Sequence, residues 1–128
     1  MSGSGALVDS SAIIDFLLGN KRAKETIFKF DDFYVSTLTV FEVLLGRVRE
    51  REVLDALSAF RPVSVKKGDA VLASRLAKAL MDRGTIINSV DVIIAAQAIN
   101  RGLTLVTKDR DFLRVKEVAN ELELELVT

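Results

Sequence analysis

Cysteine, histidine and tryptophan are absent from the 128-residue chain, and proline occurs once. Without cysteine there is no disulfide, no thiolate nucleophile and no cysteine-ligated zinc. Without histidine there is no Ser-His-Asp hydrolysis, no imidazole acid-base catalysis and little prospect of a zinc or copper site, because those metals favour nitrogen and sulfur ligands. Carboxylates, hydroxyls, lysine and arginine remain for chemistry, and clustered carboxylates suit a hard cation such as Mg²⁺ or Mn²⁺. An excess of one charge is also lacking: 18 basic residues balance 18 acidic ones, and each half of the chain is within one charge of neutral. Attraction to a polyanion would therefore depend on local patches or a bound ion. No apolar run approaches the roughly 18 residues of a membrane span, and MSGSG at the start lacks the basic and apolar stretches of a signal peptide. The expectation is a cytoplasmic protein with no membrane contact, in which residues 1–5 form a flexible tail and residues 6–128 a single domain. Its hydrophobic content of 49% is sufficient for a substantial core.

What is present alternates between strand and helix. ALVDSSAIIDFLLGN opens with an apolar strand ending at Asp9; Ser10 or Ser11 can cap a following helix, and Gly19 stops it. KRAKETIFKF reads as a second short helix, and FYVS, residues 33–36, as a strand entered through Asp31 and Asp32. STLTVFEVLLGRV places Leu38, Phe41 and Leu45 on one helical face beside Glu42. Helical character returns over residues 50–60 and stops before Pro62; VSV, residues 63–65, reads as a strand, and Gly68 to Gly84 as a long amphipathic helix. NSVDVIIAAQAINRG has a cap at Asn88 or Ser89, Asp91 in its first turn and Gly102 as its stop, and LTLVT follows as a strand. In ELELELV, residues 121–127, acids alternate with leucines as in an edge strand, while residues 115–122 could equally be helical. Strands separated by helices imply an α/β fold, a three-layer α/β/α arrangement with a mainly parallel central sheet. Ligands of such sheets bind beyond the carboxyl ends of the strands.

That rule gives the acids their interest. Asp9 and Asp109 both follow the carboxyl ends of strands; if those strands are neighbours, the two carboxylates project into one crevice. Asp91 starts the helix that returns to the second strand, and Glu42 lies among apolar neighbours on the helix after FYVS. Asp111 is a possible fifth. Each has a plainer reading alone: Asp9 as a strand-end or cap residue, Asp91 as a complement to the helix dipole, Glu42 as a partner of Arg47, and Asp111 as a cap ahead of Phe112. Asp15, Asp31, Asp32, Asp55, Asp69 and Asp82 read as solvated or capping residues. Four or five carboxylates at one mouth repel one another unless a cation neutralises them, and an oxygen-only site suits Mg²⁺ or Mn²⁺. The phenylalanines and the single tyrosine mostly sit in apolar patterns and are expected in the core rather than as base-stacking platforms.

LVDSSAIID, TVFEVLLG and DVIIAAQAINRGLTLVTKDRDF, with the intervals between their acids, resemble the PIN domain, especially the VapC-type toxin ribonucleases of prokaryotic toxin–antitoxin pairs. The resemblance covers about residues 6 to 127. It implies that Asp9, Glu42, Asp91 and Asp109 are metal-binding acids, that Ser11 and Thr107 are supporting hydroxyls, and that Asp111 is a less regular ligand. It further implies Mg²⁺- or Mn²⁺-dependent endonucleolytic cleavage of RNA leaving a 5′-phosphate and a 3′-hydroxyl, a homodimer, and a cognate antitoxin whose basic side chain enters the acidic pocket. Lys108 and Arg110, beside Asp109, are candidate phosphate contacts. Apolar positions in residues 27–45 are candidates for the dimer face.

Two other readings compete. A phosphoacceptor receiver domain shares the length, the parallel sheet and a lysine after a late strand, but it wants paired acids after the first strand and a lone aspartate after the central one. A catalytically silent PIN-like binding module would be expected to lack a core acid, and all four are present.

Overall fold

The computed structural model describes residues 4–128. Its centre is β1 (Gly5–Val8), buried along its whole length. β2 (Asp32–Ser36) and β4 (Thr104–Thr107) flank it, and β3 (Arg61–Val63) and β5 (Glu123–Leu126) form the edges of a five-stranded sheet in the order β3-β2-β1-β4-β5. Every adjacent pair is parallel, with Leu7 opposite Tyr34 on one side and Leu105 on the other. Parallel neighbours need crossovers, and helices supply them. α1 (Ser10–Leu17) and α2 (Lys21–Ile27) lead from β1 to β2, and α3 (Thr37–Leu45) and α4 (Glu50–Leu57) from β2 to β3. α5 (Lys67–Asp82) and α6 (Ser89–Arg101) lead to β4, and α7 (Phe112–Val118) to β5.

Alternation along the central strands divides the interior into two cores. Ala6, Val8, Val35 and Val106 face a core completed by Ile13, Ile27, Val43, Val53 and Leu57 of the first four helices. Leu7 and Leu105 face the opposite core, with Leu76 and Leu80 of α5, Ile94 and Ala98 of α6, and Phe112 and Val115 of α7. The three-layer α/β/α arrangement is thus the observed one, and the sheet is wholly parallel.

The boundaries differ from the expected ones in a few places. β1 starts at Gly5, one residue before the expected domain start, and Ser4 is tied down as well: its carbonyl accepts hydrogen bonds from the Asp31 and Asp32 amides, at 2.8 and 3.1 Å. Gly5 has a steric role, because a Cβ there would stand 2.7 Å from Leu103 Cδ2. Residues 1–3 of the expected tail lie outside the described residues. The third strand is at residues 61–63 rather than 63–65, and Pro62 is inside it. An edge strand is where the missing amide donor of proline costs least. At the carboxyl end both readings of the sequence hold in turn: α7 stops at Val118, and the alternating segment then forms an edge strand over residues 123–126. On α3 the inner face is Thr39 and Val43, while Phe41 and Leu45 are 61% and 68% exposed. Phe41 and Phe28 therefore depart from the expected core placement, although the Phe28 ring packs against Phe16 and Phe33.

Asp69 caps the start of α5, one of the two roles expected of it, but it is not solvated. It is 1% exposed. Its carboxylate accepts from the Lys66 amide at 2.8 Å, the Asn100 side chain at 2.9 Å and both terminal nitrogens of Arg101 at 2.8 and 2.9 Å. The start of α5 is thereby bolted to the end of α6, immediately before the chain enters β4. Arg101 and these neighbours outweigh burial and hold the Asp69 carboxyl well below the usual carboxylate range. A depressed acid stabilises the fold at pH values above its unfolded pKa of about 3.9, and that contribution is lost as pH falls towards the folded value. Asp69→Ala should lower stability by about 3 kcal/mol at neutral pH in urea melts, and the gap from wild type should shrink steadily below about pH 4.

Candidate functional site

β1 and β4 are neighbours, with Val8 opposite Val106. Asp9, just past β1, and Thr107, the last residue of β4, therefore lie side by side at the carboxyl edge of the sheet. Asp9 is 3% exposed and caps α1 with its own side chain. Its Oδ1 accepts from the Ser11 hydroxyl at 2.8 Å and the Ala12 amide at 3.1 Å, and its Oδ2 accepts from the Thr107 hydroxyl at 2.6 Å. The plain capping role and membership of an acid cluster thus coexist in one residue. Each hydroxyl has a single proton to donate. Ser11 and Thr107 both direct theirs at Asp9, so the 3.2 Å approach of their oxygens is a contact between acceptors.

The same hydroxyls receive bonds from the loop after β4. The Lys108 amide donates to Ser11 Oγ at 3.0 Å, and the Asp109 amide donates to Thr107 Oγ1 at 2.9 Å. Asp109 Oδ1 in turn accepts from the Asp111 amide at 2.9 Å. Asp111 occupies the position before α7 without making a side-chain cap bond, which leaves its carboxylate at the rim. Ser11 and Thr107 thus support two acids at once, Asp9 through their protons and the Asp109 loop through their lone pairs.

Asp91 enters from the first turn of α6, whose start is fixed by the Asn88 side chain accepting from the Val90 amide at 2.8 Å. Burial pushes its carboxyl up to about 7, with further contributions from the charges of Asp109, Asp9, Glu42 and Asp111. Glu42, half-buried on α3, is raised by burial and by the charge of Asp9, while the Ser10 hydroxyl opposes the shift by hydrogen bonding to it. Glu42 Oε1 is buried without a hydrogen-bond partner. Burial likewise raises Asp9, against the three donors that favour its charged form. Asp9, Glu42, Asp91, Asp109 and Asp111 therefore share one mouth, with Ser11 and Thr107 in support. Ser10 was not expected there; the doubled serine after Asp9 is its sequence trace, one hydroxyl serving Asp9 and the other Glu42.

Of the two flanking cations, Lys108 is less free than expected. Lys108 Nζ lies 3.0 Å from Asp15 Oδ2, and the Asp15 side chain is only 19% exposed. Asp15 is thus paired rather than solvated. A second concavity, between α5 and α6, is lined by residues such as Ala73, Leu80, Ile86 and Ile93 and carries no titratable side chain.

An oxygen-only set of donors containing one carboxylate oxygen with no partner, and another carboxyl pushed up to about 7, fits a hard divalent cation better than any softer metal. Among the described residues no group of three acids is arranged to hold an ion unaided. One or two carboxylates plus several waters would satisfy Mg²⁺, which gives up its water reluctantly.

The family model of the PIN domain matches residues 6–118, and the chain belongs to that family. The fold also matches solved structures. A chain of the DNA-bound VapBC complex from Salmonella typhimurium superposes with a TM-score of 0.81 at 19% identity, over 97% of this chain and 98% of that one. A chain of VapBC2 from Rickettsia felis, bound to a promoter DNA fragment, gives 0.79 at 20% identity over 95% and 98%. A chain of a toxin–antitoxin complex from Klebsiella pneumoniae gives 0.73 at 27% identity, over 84% and 89%. Comparison with curated protein sequences gives no match.

The crowding has a thermodynamic signature. An acid whose folded pKa is raised binds its proton more tightly in the folded state, so folded stability falls as pH rises from about 4 to about 7. In metal-free protein, Asp91→Asn should raise the melting temperature at pH 8 by several degrees, and the difference should vanish near pH 4; a lower melting temperature at pH 8 would contradict the account.

Proposed function

We propose that the chain is a Mg²⁺- or Mn²⁺-dependent endoribonuclease, the toxin of a type II toxin–antitoxin pair. The observation that carries this reading is the crowding of four carboxylates around a fifth, Asp91, in a protein without histidine or cysteine. Membership of the PIN family and the toxin–antitoxin complexes among the structural neighbours support it.

Asp9, Asp91 and Asp109 would hold the cation, with Glu42 and Asp111 completing its surroundings. When bound, a divalent ion polarises the phosphoryl oxygens and makes a water molecule acidic enough to act near neutral pH. The protein's part is to fix the acids and to handle protons. Ser11, Thr107 and the Ala12 amide hold Asp9 in one orientation, and a pre-set carboxylate loses little freedom when it engages a cation. Glu42 presents an unpartnered oxygen that can accept a proton from water. Addition of water at phosphorus and departure of the 3′ oxygen, which takes up a proton, leaves a 5′-phosphate and a 3′-hydroxyl. The Asp15 pairing of Lys108 leaves Arg110, exposed at the rim, as the better candidate for a phosphate contact.

A receiver domain fits less well, because the central β1 is followed by a buried Asp9 whose two oxygens are already engaged by three donors, an unfavourable setting for phosphoryl transfer to that carboxylate. A silent binding module would not need to gather five mutually repelling acids. The outward apolar face formed by Ile14 of α1, Leu18 just past its end, and Phe41 and Leu45 of α3 supports a homodimer formed through those helices. The same acidic mouth, stoppered by a basic side chain of a cognate antitoxin, would be partly neutralised and closed to a cation. No helix among the described residues is long and apolar enough to cross a membrane.

Cleavage of a single-stranded RNA by wild type should require Mg²⁺ or Mn²⁺, stop with EDTA, and fall by at least about 100-fold in Asp9→Asn at unchanged fold by circular dichroism. Equal rates for the two proteins would overturn the assignment.

A further inference from the structure

Asp15 and Lys108 had no expected role in the acid cluster, yet they join the two segments that carry it. Lys108 grips α1 at two points four residues apart, its amide on Ser11 Oγ at 3.0 Å and its ammonium on Asp15 Oδ2 at 3.0 Å. Those anchors are one helical turn apart, about 6 Å along the axis. The next residue is Asp109. Its amide hangs on Thr107, and its carboxylate is bonded to the Asp111 amide within the same short loop. The placement of Asp109 relative to Asp9 therefore depends on how firmly residues 107 and 108 are held against α1.

We infer that the Asp15–Lys108 ion pair is a clamp that positions Asp109 for cation binding, so that both are positioning residues of the acid site. The inference rests on the reading of that site as a divalent-cation centre. As a stabiliser the pair counts for little: Lys108 is half exposed, and such pairs contribute about 0–1 kcal/mol. As a constraint on geometry it counts for more, since displacement of a liganding group by about 1 Å weakens a site far more than it weakens a fold. A second anchor stops the loop pivoting about its hydroxyl bonds and keeps Asp109 facing Asp9 and Asp91 despite their mutual repulsion.

Mn²⁺ binding to the full chain, measured by calorimetry and by the electron paramagnetic resonance of free Mn²⁺, separates this role from its rivals. The variants are Lys108→Met, Asp15→Asn and the exchange of the pair, Asp15→Lys with Lys108→Asp. Electrostatics alone predicts that Lys108→Met tightens Mn²⁺ binding, because a nearby positive charge is gone. The clamp predicts the opposite sign: both single variants bind Mn²⁺ about tenfold more weakly, the exchange recovers most of the loss, and melting temperatures stay within a few degrees. Unchanged or tighter binding by Lys108→Met, or no recovery in the exchange, overturns the clamp. A rise in KM for RNA in Lys108→Met with Mn²⁺ affinity and Asp15→Asn unaffected would instead make Lys108 a phosphate contact. Wild type that binds Mn²⁺ while Asp9→Asn does not keeps the cation reading intact whichever way the clamp variants fall; wild type that fails to bind removes both.

Discussion

Mutual repulsion among carboxylates at the carboxyl edge of the sheet is the constraint on which the rest of the structure turns. Five acids drawn from four separate stretches of chain are folded into one mouth, and Asp91 feels the charge of the other four. Hydrophobic burial on either side of β1 supplies the free energy that holds them there. Folding the chain this way stores an electrostatic cost locally, and a cation is the cheapest means of relieving it. The hydroxyls of Ser10, Ser11 and Thr107 offset part of that cost, each one stabilising charge on an acid that burial disfavours.

The parallel sheet makes the convergence possible. Because β1 and β4 run side by side in the same direction, two acids about 100 residues apart in the chain emerge at the same edge. The helix that precedes β4 must start at that edge too, which brings Asp91 into position through its first turn. Asp69 and Arg101 secure the other end of α6 against α5. Rigid elements thus fix Asp9, Asp91 and Glu42, while Asp109 and Asp111 lie on a loop whose position depends on side-chain anchors.

Much of this was legible in the sequence. Apolar runs bounded by Asp9 and Asp109, the strongly marked α6 and the parallel alternation of elements fixed the layers, and the positions of the acids at strand ends and a helix start located the mouth. What periodicity does not encode is which polar residues meet across the fold. Asp69 looked like an exposed helix-start acid because its partners, Asn100 and Arg101, lie a helix and a loop away. Asp15 looked like a solvated or capping acid and Lys108 like a phosphate contact for the same reason, their pairing being set by the docking of the β4–α7 loop on α1. The outward turn of Phe41 and Leu45 was legible only in part: residues 27–45 carry more apolar positions than one core needs, but a hydrophobic stripe reads the same whether it faces a core or a partner. Pro62 misled the placement of β3 because an edge strand tolerates what an inner one does not.

The most direct test of the central claim is the proton balance of cation binding. Binding of Mn²⁺ to these acids must expel whatever protons their burial and crowding retain, and calorimetric titrations in buffers of different ionisation enthalpy count them. With Asp91 at about 7, roughly half a proton per chain should be released at pH 7, falling towards zero by pH 9. Binding without proton release at pH 7, or no binding at all, would contradict a site built on mutually repelling carboxylates.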